Sequence, residues 1–294
     1  MTGRGDWHTI LFTEKSTIFS NIMYKAYWGL KEKPFQNTPD PRFVYLSAQH
    51  LEATALMIYA IKENKGAGML TGEYGCGKTV ISRLIFEILP KDIFDFAIVT
   101  NPQFNPTEML KEICFQFSIR ISASPSKNEL LEALNDRFYV NLHTGKHTII
   151  IIDEAQTVID PLTFEEVRLL LNFQLNDRFL LTLLLFGQTE LREKLKRFKQ
   201  LNQRLALKYH IDALRKDDTE KYINYRLRIA GARRRIFTNE SLNIIWDRSK
   251  GIPRVINAIA DWCLLLGYSR FYDRIEEKTA IKAAADLGYT ILDS

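Results

Sequence analysis

Apolar and polar positions along this chain fall into two regimes, one that alternates strand with helix and one that is helical throughout. The plainest strand is Thr148-Ile149-Ile150-Ile151-Ile152, a continuous β-branched run of the kind buried on both faces of a parallel sheet. Gly68-Met69-Leu70-Thr71 is a shorter run of the same kind. It precedes Val80 to Leu89, whose apolar residues at 81, 84, 85, 88 and 89 have a helical period. Asp95 to Thr100 reads as a strand ended by Asn101-Pro102, and Pro106 to Phe117 as a helix with proline in its first turn. A Ser/Pro turn at 122–126 leads to a helix over 127–141. After the isoleucine strand the pattern predicts a helix over 162–176, a strand over 179–186, a helix over 189–199 and a short strand over 208–211. Five strands alternating with helices argue for an α/β fold, a parallel sheet covered on both faces.

Beyond Asp212 the period is helical only. Asp217 and Asp218 are placed to cap a helix carrying Tyr222, Ile223, Leu227 and Ala230, and Leu242, Ile245 and Trp246 mark the next. Gly251-Ile252-Pro253 stops that helix and starts another, with Val255, Ile256, Ile259, Ala260, Cys263 and Leu264 on one face. A closing helix is expected over 276–287. The division expected from these patterns is an N-terminal extension over 1–22, a core over 23–212 and a small helical lid over 213–294.

Composition narrows the class. With 46% apolar and 26% charged residues in 294, the chain is ordinary globular material. Its longest apolar runs, such as Phe179 to Phe186, are far short of the ~20 residues of a membrane helix. A basic-then-apolar leader is not seen, and Cys76, Cys114 and Cys263 have neither metal nor disulfide spacing, so a reducing cytoplasm is expected. The net charge of +5 is uneven: 191–235 holds fifteen Lys/Arg against five Asp/Glu. Such a stretch suits a polyanion such as duplex DNA, and equally a solvated helix face or a subunit contact.

The chemistry lies in two motifs. Gly72-Glu73-Tyr74-Gly75-Cys76-Gly77-Lys78-Thr79, followed by Val80, matches G-x-x-x-x-G-K-[ST], in which backbone N–H groups close around phosphate oxygens. Lys78 is expected on the β/γ-phosphates and the Thr79 hydroxyl on Mg²⁺, with the following helix pointing its positive end at the triphosphate. The isoleucine strand then runs into Asp153-Glu154, where open α/β sheets bind ligands. Asp153 is the expected Mg²⁺ partner, held through water, and Glu154 the group that orients and polarises the attacking water. Alone, two acids after a strand could equally open the next helix; the phosphate loop tips the reading toward chemistry.

These motifs, with Tyr27-Trp28-Gly29-Leu30, Lys33-Pro34-Phe35, Thr38-Pro39-Asp40-Pro41-Arg42-Phe43, Phe186-Gly187-Gln188-Thr189-Glu190-Leu191 and Gly251-Ile252-Pro253-Arg254-Val255-Ile256-Asn257, resemble the ExeA/GspA family of AAA+ ATPases. The likeness runs from about Met23 to the end. TnsC, TniB and MuB transposition regulators and origin-recognition ATPases share the core and lid. The resemblance implies a P-loop AAA+ fold with ATP and Mg²⁺ bound between core and lid. It also implies Gln188 as the sensor-1 amide, Arg204 as an arginine finger for a neighbouring subunit and Arg254 as the sensor-2 arginine. Phe35, Phe43 and Tyr45 fall where such proteins line the adenine pocket, though plain packing explains them equally.

A homo-oligomer, ring or filament, follows from the resemblance, as does a protein partner in secretion or envelope assembly. The place of action would then be cytoplasmic or peripheral to the inner membrane. A DNA-bound regulator using 191–235 is the alternative, and a switch with little hydrolysis a third reading, against which Asp153, Glu154 and Arg204 argue. The departures are Tyr74 and Cys76 inside the loop and Thr189 where proline is common. Cys76 lies near a helix N-terminus, which can lower a thiol pKa. ExeA itself continues into a membrane segment and a peptidoglycan-binding region, so cell-wall binding is not expected here, and Met23 is the expected native start.

Overall fold

The computed structural model describes residues 24–37 and 40–290. The expected extension at 1–22, the Met23 start and Thr38-Pro39 lie outside the described residues. The chain divides into two units, residues 46–212 and the pair of segments up to 45 and from 213 onward.

The first unit is built on five parallel strands: β1 (Ala67–Gly72), β2 (Phe94–Val99), β3 (His147–Ile152), β4 (Leu181–Gly187) and β5 (Leu205–Ile211), ordered β2-β3-β4-β1-β5. Every residue of β1 and β4 is buried, and so are Thr148–Ile152 of β3. Successive strand side chains point to opposite faces, so this pattern requires helices on both. Those helices are α1 (Ala48–Lys62), α2 (Lys78–Ile88), α3 (Pro106–Gln116), α4 (Lys127–His143), α5 (Pro161–Leu170), α6 (Glu190–Lys196) and α7 (Lys199–Arg204). Two begin with a reciprocal capping box, Asn105 with Glu108 for α3 and Ser126 with Glu129 for α4. The five-stranded, all-parallel sheet agrees with the sequence reading.

Two helices were not legible. Helix α1 has a mixed pattern, burying His50 and Thr54 beside Ala53, Met57, Ala60 and Ile61 while Leu51 (54%) and Tyr59 (48%) are exposed, so its apolar stripe is blurred in the sequence. Helix α7 is six residues long and follows α6 after two residues, and the two read as one helix followed by a loop. Helix α5 ends at Leu170, short of the expected 176, and Gln174 forms a bridge with Phe179.

The second unit contains α8 (Lys216–Ile229), α9 (Asn239–Ser249), α10 (Pro253–Ser269) and α11 (Glu277–Asp286). Residues 24–45, expected in the core, pack here instead. Trp28 is buried and donates from Nε1 to the Leu264 carbonyl at 2.9 Å, and Tyr24 donates to Asp261 at 3.1 Å. Arg226 donates to the carbonyls of Pro34 (2.6 Å) and Gln36 (2.7 Å), with its guanidinium 5.2 Å from the Phe43 ring centre. The physical reason is that Tyr24, Trp28, Leu30, Phe35 and Phe43 have no strand period and bury among the apolar faces of α8 to α11. Among the described residues, no helix is long and apolar enough to cross a membrane.

Candidate active site

Three adjacent strands end together. Ile152 of β3 pairs with Leu185 of β4, and Thr71 of β1 with Gly187, so Asp153, Gln188 and the loop after Gly72 leave the same edge of the sheet. Glycine is needed at two of these exits by close approach alone. A Cβ at Gly72 would lie 2.6 Å from the Ile211 carbonyl oxygen, and one at Gly187 would lie 2.8 Å from Gln156 Oε1. Within the loop, Gly75 (φ +87°) and Gly77 (φ +98°) take left-handed backbone before α2 begins.

Lys78, the first residue of α2, is buried and donates from Nζ to the carbonyls of Gly72 (2.7 Å) and Glu73 (3.0 Å). Burial lowers its pKa, a shift that Glu154 chiefly opposes. Thr79 donates its hydroxyl to Asp153 Oδ2 at 2.8 Å, tying the phosphate loop to the end of β3. Asp153 is itself buried, which raises its pKa against the Thr79 hydrogen bond. Glu154 sits in left-handed backbone (φ +52°), an uncommon conformation for a carboxylate residue, and its N–H donates to Asp153 Oδ1. Its Oε2 accepts from Gln156 Nε2 at 2.5 Å and from Gln188 Nε2 at 3.4 Å.

The structure therefore gathers Lys78, Thr79, Asp153, Glu154 and Gln188, all named from the sequence. Gln156, left without a role there, is the hub that was missed. Besides Glu154, its Oε1 accepts from the Gln188 N–H at 2.9 Å, so one amide holds the acid and the next strand's exit together. Its only signal was its place two residues after the acid. Thr189, the departure from proline, donates to Glu73 Oε1 at 2.9 Å, linking that exit to the loop.

Cys76 corrects an expectation. It is buried, and burial pushes its thiol up to about 11 rather than down. Arg204 ends α7, with Nη1 buried and lacking a hydrogen-bond partner among the described residues. Arg254 is the second residue of α10, in the helical unit. Phe35 and Phe43 are packing residues of the helical unit, Phe35 edge-on to Phe237 at 6.3 Å.

The basic stretch is also divided, 191–212 in the sheet unit and 213–235 in the helical unit. Many of its cations are engaged internally. Lys194 donates to the carbonyls of Gln156 and Val158, Lys196 pairs with Glu193 and Lys221 with Asp217. Arg226 holds Pro34 and Gln36, Arg234 pairs with Asp273 and Arg235 with Glu220. Of these six, Lys194 and Arg226 are held by backbone carbonyls, while Lys196, Lys221, Arg234 and Arg235 stay exposed beside their partners.

Comparison with known proteins agrees with this geometry. A family profile described as an AAA domain matches residues 61–195. General secretion pathway protein A of Aeromonas hydrophila is 35% identical over 250 residues, 84% of this chain and 45% of that protein, so the chain spans less than half of its relative. Among solved structures, the ORC2 protein of Aeropyrum pernix in ADPNP and ADP complexes superposes with a TM-score of 0.64 at 17% identity, covering 87% of this chain and 71% of that one. The ORC1 protein of the same organism, in complex with DNA, gives 0.61 at 15% identity, covering 85% and 68%. At such identities the structures speak for the fold alone. With that fold, the phosphate loop, the acidic strand end and a relative 35% identical over 84% of this chain, the chain belongs to the AAA+ ATPases, in the group of general secretion pathway protein A.

Proposed function

We propose that this protein binds and hydrolyses ATP with Mg²⁺ at the interfaces of a homo-oligomer, and that the cycle drives or regulates assembly in a secretion or envelope system. The observation that carries the proposal is the Glu154 carboxylate, held by the amides of Gln156 and Gln188 beside the Thr79–Asp153 hydrogen bond. A buried ammonium, two left-handed glycines and strand ends that exclude a Cβ fit a triphosphate.

In this reading the N–H groups of the loop hold the phosphates and Lys78 leaves its carbonyl partners for the β/γ-phosphate oxygens. Thr79 and Asp153 would hold Mg²⁺, which supplies charge neutralisation at the phosphates. Glu154 accepts a hydrogen bond from the attacking water and takes up its developing charge, while Gln156 fixes the carboxylate and Gln188 contacts the water. Arg204 completes a neighbouring subunit's site with a fixed cationic fork, and Arg254 responds to the phosphate end of the nucleotide; both roles rest on the family resemblance. Adenine as the base rests on it too.

The secretion output is supported by the 35% identity to general secretion pathway protein A, and action in the cytoplasm or at the inner membrane face is part of the same proposal. A DNA-bound regulator is the second reading, favoured by the exposed Arg192, Arg197 and Lys199 on and between α6 and α7. ATP turnover with and without duplex DNA at two salt concentrations, with Lys78→Ala as the blank, separates them. The expected result is Lys78-dependent turnover that ignores DNA, with Glu154→Gln trapping ATP-bound assemblies. Strong, salt-sensitive stimulation by DNA would move the output to a DNA transaction.

A further inference from the structure

Helix α1 begins after Ser47, a residue type that usually caps a helix by accepting from a first-turn N–H. Ser47 makes no such bond. Its Oγ lies 2.7 Å from Nδ1 of His50, and Nε2 of the same imidazole lies 2.8 Å from the Cys76 carbonyl oxygen, in the phosphate loop. Both side chains are buried. A carbonyl oxygen can only accept, so Nε2 carries a proton and donates to it. A Cβ at Gly77 would lie 2.9 Å from Nε2, so the glycine also makes room for this imidazole.

We infer that His50 is a positioning residue for the phosphate loop: it fixes the Cys76–Gly77 peptide plane and so aims the Gly77 N–H. In a trans peptide the N–H points opposite to the preceding carbonyl. Holding the Cys76 carbonyl against α1 turns the Gly77 N–H away from α1, toward the concave side of the loop where phosphate oxygens are held. Helix α1 packs on β1 and β5, so the anchor is as rigid as the sheet. His50 itself does not touch nucleotide. The inference rests on the nucleotide reading of the loop.

The test titrates the full-length protein with a fluorescent ATP analogue in the presence of Mg²⁺, alongside thermal midpoints. His50→Ala leaves the Cys76 carbonyl without its donor, and binding is expected to weaken about tenfold. His50→Gln, whose amide nitrogen reaches the Nε2 position, restores binding to within about threefold of wild type, whereas His50→Asn, which reaches only the Nδ1 position, does not. Unchanged affinity in His50→Ala overturns the inference. So does an equal loss in the Ala, Gln and Asn variants that follows their thermal midpoints, the signature of packing alone. If His50→Ala does not fold, the Gln and Asn pair decides in the same way. Failure of the folded wild type to bind overturns the nucleotide reading itself, and shows before any variant is made.

Discussion

Each unit of the molecule buries a cation, and in each the cation donates to backbone carbonyls, yet the two serve opposite ends. Arg226 in the helical unit has its planar fork filled by fixed acceptors, the Pro34 and Gln36 carbonyls and the Tyr222 hydroxyl (3.0 Å), between the Phe43 and Tyr222 rings. Lys78 in the sheet unit is a single flexible ammonium on two carbonyls of a glycine loop, with Glu154, Asp153 and Glu73 close enough to oppose the lowering of its pKa. A fully matched guanidinium locks two segments together. An ammonium on replaceable partners, beside carboxylates gathered from another strand, is available to a phosphate. Burial of a charge identifies neither role; the number and exchangeability of its partners does.

The largest expected effect breaks the comparison on the Lys78 side. Lys78→Met should lower ATP turnover by about 10³-fold. The same change should raise the thermal midpoint at neutral pH. Because burial depresses the folded-state pKa of Lys78, folding disfavours the ammonium; the penalty is lost as pH rises through the folded and then the ordinary lysine pKa, where both states are neutral. A lower midpoint at pH 7 would show that Lys78 is a structural cation like Arg226. Arg226→Met should give the reverse signature, a stability loss of about 3 kcal/mol in urea melts, since the guanidinium's hold on the Pro34 and Gln36 carbonyls and the Tyr222 hydroxyl is what ties the 34–36 segment to α8.

Asp153→Asn sharpens the contrast from the acid side with a smaller effect. Burial raises the folded pKa of Asp153, so its ionisation opposes folding once pH exceeds the ordinary aspartate value. The Asn variant should therefore be more stable than wild type at neutral pH, and the gain should vanish below about pH 3, where the carboxyl is protonated in both states. Melts across that range check it. The smallest effect belongs to Thr189→Val. It removes an exposed hydrogen bond to Glu73 and should cost at most about 0.5 kcal/mol. A larger loss in melts would place the loop's stability in its link to the β4 exit.

Several contacts show why part of this was readable and part was not. The β3 run announced itself because four isoleucines fit only a strand buried on both faces, and Asp153 and Glu154 follow it directly. Helix α1 is hard to read because polar His50 and Thr54 share its buried face with Ala53, Met57, Ala60 and Ile61 while Leu51 and Tyr59 face water. The segment 24–45 was assigned to the wrong unit because aromatic spacing identifies burial without naming the partner; Trp28 meets Leu264 across 236 residues of sequence. At Cys76, closeness to a helix start is local and would lower a thiol pKa, whereas burial, a property of the packed unit, pushes it up.

The sequence by itself determined the alternation of strand and helix, the phosphate loop with its obligatory glycines, and the acidic pair at a strand end, because each depends on residues within a few positions of one another. Only the tertiary structure decided that Thr79 meets Asp153 across 74 positions, that Gln156 joins Glu154 to Gln188, that His50 meets Cys76, and that Lys194 and Arg226 of the basic stretch are spent on backbone carbonyls. Local propensity acts through neighbouring dihedrals and side-chain period, while these pairings are set by which faces bury together, and that is settled by the whole packed unit.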